Sequence, residues 1–136
     1  MKIDGGCHCG ALTYTAEIDP QNVIVCHCTD CQTLSGATYR VNAFSREGEF
    51  TLLTGEPKTY IKTGESGVQR LQGFCPDCGT QIFSTSMGDE PKVYAIRTGT
   101  IHQREKLVPT NQIWTRSAQH WVGELSAIRK FEKQPV

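Results

Sequence analysis

The sequence has no run approaching the roughly 18 apolar residues that a membrane-crossing helix needs, and its start, Met1-Lys2-Ile3-Asp4-Gly5-Gly6, lacks the apolar stretch of a secretion signal. It also lacks an excess of either charge, because fourteen basic side chains balance fourteen acidic ones. Without a net field nothing gathers nucleic acid by counterion release or holds the chain to an anionic membrane, so neither is an expected partner. The helical patterns of about 10 to 15 residues that βαβ units place between strands are missing too, as are repeats, linkers and low-complexity segments. These absences predict a soluble, cytoplasmic protein folded as one domain over residues 1–136, a length that sustains a hydrophobic core.

The chain is instead rich in short strands and turns. Leu12, Tyr14, Ala16 and Ile18 alternate with Ala11, Thr13, Thr15 and Glu17, the period of two of a strand with one buried face. Asp19-Pro20 predicts a turn, and Val23-Ile24-Val25 is a β-branched run leading to Cys26. Residues 39–44, 50–53, 59–62, 68–74, 81–84 and 93–97 read as further strands, punctuated by Gly48, Gly55-Glu56-Pro57, Gly64 with Gly67, Gly88-Asp89 and Gly99. The predicted class is all-β, mainly antiparallel. Helix is expected only as single turns after Cys31 and around 117–121, with Leu125, Ile128 and Phe131 at helical spacing. Trp114 and Trp121 are expected to close the core rather than line a pocket.

Seven cysteines in a reducing compartment point to metal or catalysis rather than to a disulfide framework, and the odd number leaves any full pairing one thiol over. Gly6-Cys7-His8-Cys9-Gly10 and Phe74-Cys75-Pro76-Asp77-Cys78-Gly79 each hold a close thiol pair, with sixty-five residues between Cys9 and Cys75. Brought together by a sheet, Cys7, Cys9, Cys75 and Cys78 make a tetrahedral four-thiolate zinc site. The competing reading is two disulfides or buried free thiols, but bridges between such close neighbours would constrain little.

Cys26-His27-Cys28-Thr29-Asp30-Cys31 supplies three more thiols within six residues. Three is the ligand number of a catalytic zinc, whose fourth position stays open for water or substrate, whereas structural zinc is closed by four. His27 and His8 are poor candidates for the fourth ligand, since on extended chain their side chains diverge from the flanking cysteines. A distant His102, His120 or carboxylate would instead make the second site structural.

In these three motifs, and in their order, the chain resembles the glutathione-dependent formaldehyde-activating enzyme family, which also includes centromere protein V. The matching stretches are Gly5-Gly6-Cys7-His8-Cys9-Gly10-Ala11-Leu12-Thr13-Tyr14, Cys26-His27-Cys28-Thr29-Asp30-Cys31-Gln32 with Ser35-Gly36, and Phe74-Cys75-Pro76-Asp77-Cys78-Gly79-Thr80. The resemblance implies a β-tent of short antiparallel sheets. It also implies a structural zinc on Cys7, Cys9, Cys75 and Cys78 and a catalytic zinc on Cys26, Cys28 and Cys31. The implied activity is that of a carbon-sulfur lyase acting on the adduct of a small thiol with a small aldehyde, glutathione and formaldehyde giving S-(hydroxymethyl)glutathione. Segments like Arg97-Thr98-Gly99-Thr100-Ile101 recur in the family, but position 102, more often acidic there, is His102 here.

The alternative function is a zinc-stabilised protein-interaction module without chemistry, and a redox or metal-buffering role is a third reading. Arg97, His102, Arg104 and Lys106 form a local basic cluster, read as a solvated strand face rather than an anion site. Arg40, Arg70, Arg97 and Arg116 are candidates to receive the carboxylates of an anionic thiol, each expected on the surface.

Overall fold

A computed structural model describes residues 1–135. The alternation at residues 11–18 is realised inside a long strand, β2 (Thr13–Cys26), which pairs antiparallel with β1 (Lys2–Gly6) on one side. Leu12, Tyr14, Ala16 and Ile18 all face the core and are almost fully buried. The turn expected at Asp19-Pro20 does not form. The strand passes through it with a shift of register between Ile18 and Val23, because pairing with the next strand resumes on both sides of the irregularity.

That partner, β3 (Arg40–Thr54), merges the two strands expected at 39–44 and 50–53. Gly48 does not break it: Ser45 stands opposite Ile18, Phe50 opposite Ala16, and the residues between bulge outward. The remaining strands are β4 (Lys58–Thr63), β5 (Gln69–Phe74), β6 (Gln81–Ser86), β7 (Ala95–Arg97) and β8 (Asn111–Ile113). They form one sheet in the order β1-β2-β3-β7-β6-β5-β4, antiparallel throughout that path. β8 adds beside the far half of β2 as a parallel neighbour, pairing Ile24–Cys26 with Asn111–Ile113.

Helix is confined to α1 (Thr29–Ser35) and four 3₁₀ turns. Expected only as a turn after Cys31, α1 in fact begins before that residue. The helical spacing of Leu125, Ile128 and Phe131 yields no helix beyond the 3₁₀ turn Leu125–Ala127, and all three side chains are exposed. Trp114 and Trp121 do not close the core, being 43% and 40% exposed.

The core is built instead on the face of the sheet carrying Tyr14, Ala16, Val23, Ala43, Phe83 and Ile96. Val23 pairs with Ala43, Ala43 with Ile96 and Ile96 with Phe83, so side chains from four strands share one side. Phe50 bridges this layer, stacking on Tyr94 with centroids 4.3 Å apart and on Tyr14 at 5.2 Å. Ile96 is fully buried in β7, between β3 and β6. Ile96→Ala is expected to cost about 2 to 5 kcal/mol in urea unfolding, the range for truncating a buried aliphatic side chain.

Candidate metal centres and the cavity beside them

Cys7 and Cys9 lie in the turn after β1, and Cys75 and Cys78 in the connection from β5 to β6. Their four sulfurs fall within 4.8 Å of one another. Cys9 Sγ is 3.6 Å from Cys7 Sγ and 3.7 Å from Cys75 Sγ. Sulfurs held about 2.3 Å from a tetrahedral zinc are about 3.8 Å apart, whereas a disulfide brings them to about 2.05 Å. The donor set and spacing therefore fit a metal ion, and all seven cysteines are unbridged.

The two halves of this cluster use the same local device. Gly10 and Gly79, each directly after a cysteine, take positive φ of 84° and 76°, which side-chain-bearing residues adopt only at a cost. The reversal brings the Leu12 N–H to donate to Cys7 Sγ at 3.2 Å and sets Thr80 Oγ1 3.2 Å from Cys78 Sγ. Hydrogen bonds from Thr80 hold the Cys78 thiol low, at about 5, although that side chain is solvent-exposed. Such donors draw charge off the sulfurs, as a site with four thiolates requires.

Cys26, Cys28 and Cys31 form the second cluster, again with all sulfurs within 4.8 Å. Cys26 ends β2, Cys28 caps the N-terminus of α1, and Cys31 sits in its first turn. The cap is made by sulfur: the Cys31 N–H donates to Cys28 Sγ at 3.2 Å. Cys26 and Cys31 are buried and share hydrogen bonding, which depresses the Cys26 thiol and drives that of Cys31 sharply up. Protons on crowded thiols thus compete for one small volume, the situation a divalent ion relieves.

Among the described residues, no histidine joins either cluster. His27, buried between two of the cysteines in sequence, points away and meets Gln112 Oε1 through Nε2 at 2.8 Å. His8 is exposed, and His102 lies 3.1 Å from Asp4 beside β1. His102 therefore marks no ligand at the three-cysteine site.

Cys28, the half-exposed member, lies on the wall of a cavity of about 800 Å³ with Asp30, Lys62, Arg70, Trp114 and Arg116. Lys62 is paired to Asp30 at 3.1 Å, leaving Arg70 and Arg116 as positive charges without a carboxylate partner among the described residues. Burial lowers the pKa of Arg70. Trp114 adopts the left-handed conformation, φ 56°, where the chain leaves β8; a bulky residue there stores about 1 to 3 kcal/mol of strain. Gln32 ties the site together, its Nε2 donating to His27 O at 2.8 Å and to Ser117 O at 3.0 Å.

The expectation of surface arginines fails at two of four positions. Arg40 and Arg97 are each only 7% exposed, and Arg97 belongs to no solvated face with His102, Arg104 and Lys106. Its guanidinium donates to Asn42 Oδ1 and Gln72 Oε1, both at 2.7 Å, while Arg40 donates to Gln81 Oε1 at 3.2 Å. Burial holds Arg97 down at about 9, still a cation at neutral pH. The signal was present in Arg40-Val41-Asn42-Ala43, an alternation whose polar side reads as solvent face because its cover comes from distant residues.

A mostly antiparallel sheet bearing one four-cysteine and one three-cysteine cluster, each able to coordinate a metal, defines a class of metal-binding β-proteins. Within it, the chain belongs to the glutathione-dependent formaldehyde-activating enzyme family, whose model matches residues 2–117. Among solved structures it is similar to the crystal structure of a Rhodobacter sphaeroides protein, with a TM-score of 0.60 and 18% identity over 80% of this chain and 98% of that one. At that identity the likeness bears on fold alone.

Cys75→Ser is expected to remove one equivalent of bound metal and to lower the melting temperature by more than 10 °C. Elemental analysis alongside a thermal scan checks both, and an unchanged stoichiometry would take Cys75 out of the site.

Proposed function

We propose that this protein is a zinc-dependent carbon-sulfur lyase that forms or cleaves the adduct of a small anionic thiol with a small aldehyde, S-(hydroxymethyl)glutathione being the model product. The observation that carries the reading is the unsaturated second cluster: three thiols, no fourth side-chain ligand among the described residues, and Cys28 opening onto a cavity. On this reading Cys7, Cys9, Cys75 and Cys78 hold a structural zinc, and Cys26, Cys28 and Cys31 the catalytic one. The tent-like folding of the sheet, the single domain over 1–136 and a cytoplasmic location belong to the same proposal; no helix is long and apolar enough to cross a membrane.

When bound, zinc would supply Lewis acidity and favour the thiolate form of the incoming thiol. The chain's own residues do the rest. Arg70 and Arg116 attract the carboxylates of a peptide thiol such as glutathione into the cavity. The Cys31 N–H on Cys28 Sγ draws charge from the sulfur nearest that substrate. In the reaction a C–S bond forms as the aldehyde's C=O π bond breaks, and the proton leaving sulfur ends on the oxygen, with no change of oxidation state.

Cys28→Ser should reduce exchange between glutathione and its formaldehyde adduct, followed by two-dimensional exchange NMR, to the uncatalysed rate. It should leave the four-cysteine metal and the melting temperature in place; persistence of enzymatic exchange in this variant overturns the assignment. Arg70→Ala is expected to raise KM for glutathione about ten-fold with little change in kcat, the pattern of lost uniform binding. A fall in kcat alone would remove Arg70 from substrate binding.

A further inference from the structure

The strand ladder places one polar row across the sheet on the face opposite the core. Cys26 stands opposite Arg40 across β2 and β3, and Asn42, two residues along on the same face, stands opposite Arg97 across β3 and β7. Ser84, opposite Ala95, and Gln72, opposite Ser84, lie on the same face one pleat away in β6 and β5. Every acceptor that Arg97 finds in this row is neutral: Asn42, Gln72, Ser84 at 3.4 Å and its near neighbour Ala95 O at 3.4 Å.

The ion pairs among the described residues involve neither Arg40 nor Arg97. Both Nε atoms are sealed from solvent and have no hydrogen-bond partner. Two buried cations on one face of the sheet are unfavourable in a low-dielectric setting unless fixed negative charge lies near. The negative charge the protein itself can bring to this face lies in thiols, Cys26 standing directly opposite Arg40 in the ladder. The nearest source on this face is the cluster that begins at Cys26, since the interior of the row holds no carboxylate.

The charges balance in one state. A divalent ion with three thiolates carries one net negative charge, and an incoming thiolate raises this to two, which the two guanidiniums neutralise. We propose that Arg40 and Arg97 are positioning residues that balance the charge of the three-cysteine site and thereby admit an anionic fourth ligand. The inference rests on the proposed function and deepens it: an otherwise anionic metal site would repel a second anion, and this pair removes that barrier while touching neither substrate nor metal.

The test uses the full chain loaded with Co²⁺ and two probes of the open position, 2-mercaptoethanol, which enters as an anion, and imidazole, which enters neutral. Thiol entry is read from the sulfur-to-cobalt absorption in the near ultraviolet and imidazole from the visible bands. Arg97→Gln should weaken 2-mercaptoethanol about ten-fold or more and imidazole by less than about two-fold, and Arg97→Lys should restore thiol binding to near the unaltered protein. Arg40→Gln, which gives up a single 3.2 Å bond to Gln81, should show the same selectivity and serves if the Arg97 variant does not fold. Equal weakening of both probes, no weakening of either, or a Lys variant as impaired as the Gln variant overturns the proposal and leaves the proposed function standing. A cobalt protein whose unaltered form takes up no thiol overturns the proposed function itself.

Discussion

The four-sulfur cluster sets the shape of everything around it. Cys7 and Cys9 leave β1 for β2, whereas Cys75 and Cys78 join β5 to β6, and in the sheet order β3 and β7 lie between. Neighbouring strands are about 4.8 Å apart, so a flat sheet would hold β2 and β6 roughly 14 Å from each other. The sulfurs are within 4.8 Å. The turns that carry them must therefore reach toward one another at that end of the sheet. Register shifts in the pairing of β2 with β3 and at Phe74 of β5 interrupt the regular ladder.

The sheet has two unlike faces. The concentration of Ile, Val and aromatic side chains on one makes the hydrophobic core, and the other carries Cys26, Arg40, Asn42 and Arg97, all buried. Few folds bury two arginines without a carboxylate. Here the polar face is held by amide and hydroxyl acceptors that fix orientation without cancelling charge, so its electrostatics stay answerable to whatever occupies the adjoining cysteines. Stability on one face and selectivity on the other thus come from the same ladder, because every strand contributes to both through its period of two.

Much of this was legible in the sequence. Leu12 to Ile18 announced their buried face, and the cysteine spacings announced which thiols meet, since these depend on residues near in sequence or on a strong chemical preference. What escaped depended on distant chain. Asp19-Pro20 and Gly48 looked like strand ends, but each lies inside a strand because the partner across the ladder continues past it. Trp114 looked like core, yet the chain reversal after β8 turns it to the cavity. Arg40 and Arg97 looked like surface because polarity in alternation is the same whether water or another part of the protein covers it, and only tertiary packing tells these apart.

The two clusters differ in how their thiols meet solvent. Cys9 and Cys78 of the four-cysteine group are open to solvent, yet four thiolates saturate a tetrahedral ion and leave nothing for a substrate to bind. Cys26 and Cys31 of the three-cysteine group are buried, yet the coordination they offer is incomplete, and its free side lies where half-exposed Cys28 meets the cavity. On the proposed reading, the saturated cluster is thus the one with two solvent-open thiols, and the incomplete one presents only half-exposed Cys28. A dry surrounding strengthens each charge near the incomplete site, the guanidiniums included, while water at the rim screens the complete one. On the proposed function, the same sheet would keep one cluster inert in plain view and make the other depend on the charge of what enters.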